Sequence, residues 1–302
     1  MNLSRGEMKY WVTRLQITAD EVRADCNSAL RLACENRRLD VAQLLKETFT
    51  LTVEDARACN NLALRDACCN GYLNVAKWLV RTFALTTEDA RAKDNEALRE
   101  ACRKGYLDVV QWLVIAFKLT TNDARVWKNE PLLRACEHGH LEVAQLLVHT
   151  FALTAEDART CENFALRQAC SNGRLDVAKW LKEKFALTTE DARTWNTYAL
   201  REACKYGHLE VVQWLASAFA LTAEDARVWR SEALREACKN GHLEVAQSLV
   251  RTFALSAKDV RGENNAALYS AYRNKHLDVV QWLKDTFGLM FLEETLLEET
   301  FD

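Results

Sequence analysis

The chain has 302 residues, 49% of them apolar and 27% charged, with a formal charge of −3; that suffices for a soluble folded protein and leaves no basic field to hold nucleic acid or an anionic membrane. No apolar run reaches the roughly 20 residues of a membrane span, and MNLSRGEMKYWVTRLQ lacks the apolar stretch and cleavage site of a secretory signal. The expectation is a cytoplasmic or nuclear protein in a reducing compartment.

From the N-terminus, residues 4–16 open with a capping box, Ser4-Arg5-Gly6-Glu7, and align with the second helix of the units that follow. Residues 1–16 are therefore expected to be a half-repeat cap. At Ile17 a regular pattern begins: the position recurs as Leu51, Leu85, Leu119, Leu153, Leu187, Leu221, Leu255 and Leu289, always 34 apart, so residues 17–288 read as eight units without insertion. A period of this length signals a stacked array whose units cannot bury their apolar faces alone.

Each unit opens with a variant of LTTEDAR, Leu187 to Arg193. Thr188 fits a helix N-cap, Glu190 and Asp191 fit the first turn against the positive end of the helix dipole, and Leu187 can staple onto Ala192. A hydroxyl fills the cap position in every unit: Thr18, Thr52, Thr86, Thr120, Thr154, Thr188, Thr222 and Ser256. A short helix of one to two turns is predicted there. Arg193 and Asp191 also recur, Asp as Asp or Glu, which predicts ladders of opposite charge that pair one unit with the next.

The next helix is expected to start at Asn95 and its counterparts Asn27, Asn61, Asn129, Asn163, Thr197, Ser231 and Asn265, whose side chains could accept a free helix N–H. Leu98, Ala101 and Cys102 give its apolar stripe. Gly105 and its equivalents mark a turn, and Val109, Trp112, Leu113 and Phe117 give the stripe of a second helix. Pro131 lies in a first turn, where its missing N–H costs little.

The segment ALREACKNGHLEVAQ, Ala233 to Gln247, resembles the helix pair of an ankyrin repeat, usually written T-P-L-H-x-A-A-x-x-G-H-L-E-V-V, and Pro131-Leu132 restores the Pro-Leu of that signature. Tetratricopeptide repeats share the length, but their Trp-x-x-Leu-Gly-x-x-Tyr opening and late proline are absent. The resemblance implies an all-α, ankyrin-like α-solenoid of eight stacked 34-residue units, each a helix pair. Two departures stand out. The signature His is Arg99, Arg201 or Arg235, and the usual β-hairpin is replaced by LTxEDAR, the short third helix.

Little in the chain points to chemistry. His140, His208, His242 and His276 share a turn position that also takes Tyr72, Tyr106 and Arg174. Cys136-Glu137-His138-Gly139-His140 has no second Cys/His pair at zinc-finger spacing, and no nucleotide, hydrolase or zinc-protease motif occurs. Seven cysteines, Cys34, Cys68, Cys102, Cys136, Cys170, Cys204 and Cys238, are 34 apart and read as small buried apolar groups. No catalytic residue, cofactor or metal is expected.

The tryptophans divide by position. Trp78, Trp112, Trp180, Trp214 and Trp282 share a second-helix stripe and are expected in the core, whereas Trp127, Trp195 and Trp229 stand where other units carry Asp25, Cys59, Lys93, Cys161 and Glu263. The resemblance places such variable positions on a concave binding surface. Candidate partner-binding residues are Trp127, Phe164, Trp195, Tyr198, Glu202, Lys205, Tyr206, Trp229, Arg230 and Glu232, because aromatic and Arg side chains dominate interfaces. The expected function is a non-enzymatic, monomeric interaction module, adaptor or scaffold, that binds a protein. The alternative is a self-assembling rod that pairs through its ends or tail. Residues 289–302, LMFLEETLLEETFD with its leading Leu, are expected to form an acidic amphipathic capping helix.

Overall fold

Each LTxEDAR segment makes one helical turn, and its acid closes that turn. In the computed structural model, which describes residues 5–291, Thr86 is extended and Asp89 Oδ2 accepts both its backbone N–H, at 2.7 Å, and its hydroxyl, at 3.0 Å. The same reciprocal box forms at Thr52, Thr120, Thr154, Thr188, Thr222 and Ser256. Thr87–Ala90, Thr121–Ala124, Ala155–Ala158 and Ala257–Val260 are separate four-residue helices, while in Ala19–Glu35, Val53–Cys69, Thr189–Lys205 and Ala223–Lys239 the turn runs on through a kink.

The joint after this turn departs from expectation. Asn95 is no conventional N-cap: Lys93, Asp94 and Asn95 all lie in the left-handed region, with φ of 54°, 55° and 58°. The triplet recurs at Cys59–Asn61, Cys161–Asn163, Trp195–Thr197 and Trp229–Ser231. Left-handed backbone costs a non-glycine residue roughly 1–2 kcal/mol, and Asn tolerates it better than most. Asn95 is buried, and its amide donates forward to Asp123 Oδ1 at 3.2 Å while its own Oδ1 accepts no hydrogen bond. Asn occupies the position for its backbone tolerance and its donor rather than as an acceptor.

By internal contacts the described chain forms two units, residues up to 135 with 142–153, and residues 136–141 with 154 onward. In the first, helix Arg5–Arg14 precedes the kinked helix Ala19–Glu35 and its partner Leu39–Phe49, followed by the pairs Val53–Cys69 with Leu73–Phe83 and Ala92–Lys104 with Leu107–Phe117. In the second, Thr160–Ser171, Thr189–Lys205, Ala223–Lys239 and Gly262–Arg273 pair with Leu175–Phe185, Leu209–Ala218, Leu243–Phe253 and Leu277–Phe287. Within each unit, first helices pack against first helices and each against its own second helix. No strand occurs among the described residues, so the all-α, ankyrin-like solenoid is the observed fold class. No described helix is long and apolar enough to cross a membrane. Ser4 and the acidic tail from Leu292 lie outside the described residues, and Leu289 to Phe291 carry no helix.

The core is the predicted pair of stripes: Ala199, Leu200, Ala203 and Cys204 from a first helix meet the Val211, Val212, Leu215 and Phe219 side of a second, all buried. The seven regularly spaced cysteines are buried free thiols, and burial pushes Cys34 up to about 12. Two others behave differently. Cys26 and Cys59, in adjacent left-handed joints, have Cα atoms 5.6 Å apart and form a disulfide, which a reading of uniformly reduced cysteines did not foresee. The second-helix tryptophans are also corrected, from core to half-buried: Trp78, Trp112, Trp180, Trp214 and Trp282 rest edge-on against the phenylalanine five residues later, at 5.4–5.9 Å. An indole is too large to enter a layer otherwise built from Ala, Val and Leu.

The turn histidines are packing pins. Gly207 has φ +77°, and a Cβ there would lie 2.6 Å from His242 Nδ1, the ring being held by its Nε2 at 3.0 Å from the Lys205 carbonyl. Gly207→Ala is expected to destabilise the protein by about 2 kcal/mol, through left-handed strain and displacement of that ring, read as a lower urea midpoint at unchanged slope.

Candidate interaction surface

Two consecutive carbonyls of the left-handed joint accept from a buried arginine. Arg201 donates from Nε to Asn196 O at 3.1 Å and from Nη2 to Trp195 O at 3.4 Å, both in its own repeat. Arg65, Arg99 and Arg167 hold Asn60 and Cys59, Asp94 and Lys93, and Glu162 and Cys161 in the same way. This explains the departure at the signature His, because only a guanidinium presents a fork wide enough for two neighbouring carbonyls and still has Nη1 to spare.

That remaining nitrogen reaches the next repeat. Arg65 meets Glu96, Arg99 meets Glu130 at 2.6 Å, and Arg201 meets Glu232. The flat face of the same guanidinium carries an indole where the next joint begins with Trp: Arg99 lies 4.2 Å from the Trp127 ring, Arg167 4.2 Å from Trp195, and Arg201 4.5 Å from Trp229. One face of each indole is thus covered, yet Trp195 and Trp229 remain 55% exposed and Trp127 60%. Such stacks contribute roughly 0.5–2 kcal/mol each and fix the ring orientation.

A second ladder runs beside the first. Arg159 grips Asp191 through Nε and Nη2 at 2.8 and 3.0 Å, and Arg193 grips Asp225 at 2.7 and 3.1 Å. Arg57 and Asp89 repeat the arrangement in the other unit. Burial alone would raise the Asp191 carboxyl, but Arg159, the Thr188 N–H and hydroxyl, and Asn163 together hold it at about 2. Each of these guanidinium groups is gripped at two points by a carboxylate of the next repeat, so the Arg column is a repeat-to-repeat tie.

The candidate residues fall as follows. Phe164, Trp195, Tyr198, Glu202, Lys205, Tyr206, Trp229, Arg230 and Glu232 lie in the second unit and Trp127 in the first. Trp195 and Tyr198 meet edge to face at 6.0 Å around Arg167, with Phe164 on the same guanidinium at 5.8 Å. Lys205 pairs with Glu202 at 3.2 Å and lies 4.9 Å from the Tyr206 ring, which is 52% exposed. A cavity of about 420 Å³ opens here, with Gln168, Ser171, Tyr198, Glu202 and Tyr206 in its wall. Arg230 is exposed, and the Glu232 carboxylate is engaged by Arg201.

Sequence reasoning missed the buried arginines themselves. A signal was present: each tip tryptophan follows such an arginine by 28 residues, Arg99 to Trp127, Arg167 to Trp195 and Arg201 to Trp229.

No curated protein matches the sequence. A family model described as ankyrin repeats (3 copies) matches residues 98–191, 132–225 and 200–288, overlapping stretches that begin at the first-helix leucines Leu98, Leu132 and Leu200 and together span more than half of the chain. With its stacked helix pairs, Gly turns and buried Ala-Cys stripe, the chain belongs to the ankyrin-repeat family.

Proposed function

We propose that this protein is a non-enzymatic interaction module, an adaptor or scaffold, that binds a protein partner as a monomer. Ankyrin repeats in general mediate protein–protein interaction. The finer reading places the contact on the tip indoles and the variable first-helix positions. It rests on one observation: Trp195 and Trp229 are more than half exposed although each is pinned from behind by a buried guanidinium. A large side chain held rigid before binding loses little entropy on contact, which is the property of an interface anchor.

Trp195→Ala with Trp229→Ala is expected to lower stability by about 1–3 kcal/mol in total, the value of two cation–π stacks, while leaving helicity intact. Proteins cross-linked to the wild-type chain in cells and identified by mass spectrometry should disappear with the double variant. Retention of the same set of proteins would refute the placement. Light scattering over a concentration series checks the monomer, since a rod-former gains mass with concentration.

A further inference from the structure

The Arg–Glu rungs that join successive first helices have a gap. Where Arg65, Arg99 and Arg201 find Glu96, Glu130 and Glu232 thirty-one residues on, that residue is Leu62 for Arg31, which turns to Glu35 of its own helix, Ala266 for Arg235 near the end of the array, and Tyr198 for Arg167 in its middle. The other partners of Arg167 are unchanged, its Nε 2.8 Å from Glu162 O and its Nη2 2.9 Å from Cys161 O. It is also the most buried of the four, 3% exposed against 7–9% for the others. Three rings stand in for the missing carboxylate: Trp195 at 4.2 Å, Tyr198 at 5.0 Å and Phe164 at 5.8 Å from the guanidinium carbon. Rings compensate a buried charge only in part, since they offer its remaining N–H groups no oxygen acceptor. Burial accordingly pulls the Arg167 pKa below that of an ordinary arginine.

At position 133 the sequence does without the charge. There the arginine is replaced by Leu133, and the residue thirty-one further on is Phe164. An apolar residue is thus an option the sequence uses at this position of the repeat, yet at 167 it keeps the arginine and withholds its acid.

We infer that the missing rung is completed from outside: a partner inserts one carboxylate, from an Asp or Glu side chain or a chain terminus, onto Arg167 between Trp195 and Tyr198. Tyr198 is the wall shared by the guanidinium and the cavity of about 420 Å³, so its ring has room to swing aside as the acid enters. Glu137 and Glu202 also line that cavity and make it acidic. The entering segment therefore carries a single acid among neutral residues, because a polyacidic stretch would be repelled. The inference rests on the interaction reading above and specifies its partner.

The test uses the full chain and an array of neutral nonapeptides, each with one central Asp, Glu, Asn or Gln between varied apolar neighbours. Retained acid peptides should bind at least about tenfold more tightly than their amide isosteres, the value of one charge-assisted pair. The preference should vanish in Arg167→Leu, which copies position 133 and is expected to melt no lower than wild type. Tyr198→Glu supplies the rung within the chain, as at positions 96, 130 and 232. It should raise the melting temperature by roughly 2 °C or more while abolishing acid-peptide binding. An acid preference that survives in Arg167→Leu, or acid binding undiminished in Tyr198→Glu, overturns the inference. Binding that depends on Trp195 but ignores the acid overturns it and leaves the interaction reading standing. An array with no bound member also overturns it, while the interaction reading is decided by the cross-linking above.

Discussion

Acidification from about pH 4 to about pH 2 is expected to unfold this protein in steps that track its Asp column. Asp123 and Asp191 are held at about 2 against an ordinary value of 3.8, and Asp55, Asp89, Asp225 and Asp259 are lowered as well. A folded-state pKa below the unfolded one stabilises above the unfolded value, and that contribution is lost as pH falls through the folded value. For Asp123 and Asp191 the loss is about 2 kcal/mol each, taking ~1.4 kcal/mol per pKa unit. The other lowered carboxylates of the column add to the loss in the same direction.

Asp191→Ala isolates one rung at neutral pH. It removes the Arg159 fork, the acceptor for the Thr188 N–H and the Asn163 contact together, so a loss of about 3–4 kcal/mol is expected. Circular dichroism against urea at pH 7 and at pH 3 gives the check. The deficit of the variant relative to wild type should shrink at the lower pH, because at pH 3 the unfolded wild-type chain already holds a proton on this carboxyl that folding must release.

Arg201→Ala should be as damaging for a different reason. The side chain satisfies two carbonyls of the left-handed joint, pairs with Glu232 and supports the Trp229 ring, and it is 9% exposed. Truncation leaves a half-buried carboxylate and strained backbone without donors, for an expected loss of about 3–5 kcal/mol. Arg201→Lys should recover less than half of it, since an ammonium reaches one carbonyl or the acid but cannot span the fork. Amide exchange at residues 194–197 should accelerate in both variants, whereas a change confined to the Glu232 side would place the stabilisation in the ion pair alone.

Much of the repeat was legible because its determinants are local. The cap at Thr188, the acid three residues on and the Ala203-Cys204 stripe each act within one or two turns, so one stretch of sequence carries the whole pattern. The Asn95 joint was misread because an N-cap and a left-handed turn favour the same residue, and only the backbone angles separate them. The half-buried Trp112 was misread because periodicity reports which side of a helix faces inward and not how much room waits there. The tip indoles were found by their irregularity. What holds them was not, since Arg99, Arg167 and Arg201 recur as regularly as any core residue and differ only in the partners that folding brings to them.

The left-handed joint has a consequence for how such a protein can change. Its conformation is held by an arginine six residues downstream that meets the joint at main-chain oxygens, as Arg201 does at Trp195 and Asn196. A carbonyl is the same whichever amino acid bears it. The backbone of the joint therefore does not depend on its first letter, and Trp, Cys and Lys occupy it with the same backbone angles. On the interaction reading proposed above, recognition and backbone architecture are written in separate alphabets along one chain, and the first can be rewritten, repeat by repeat, without refolding the second.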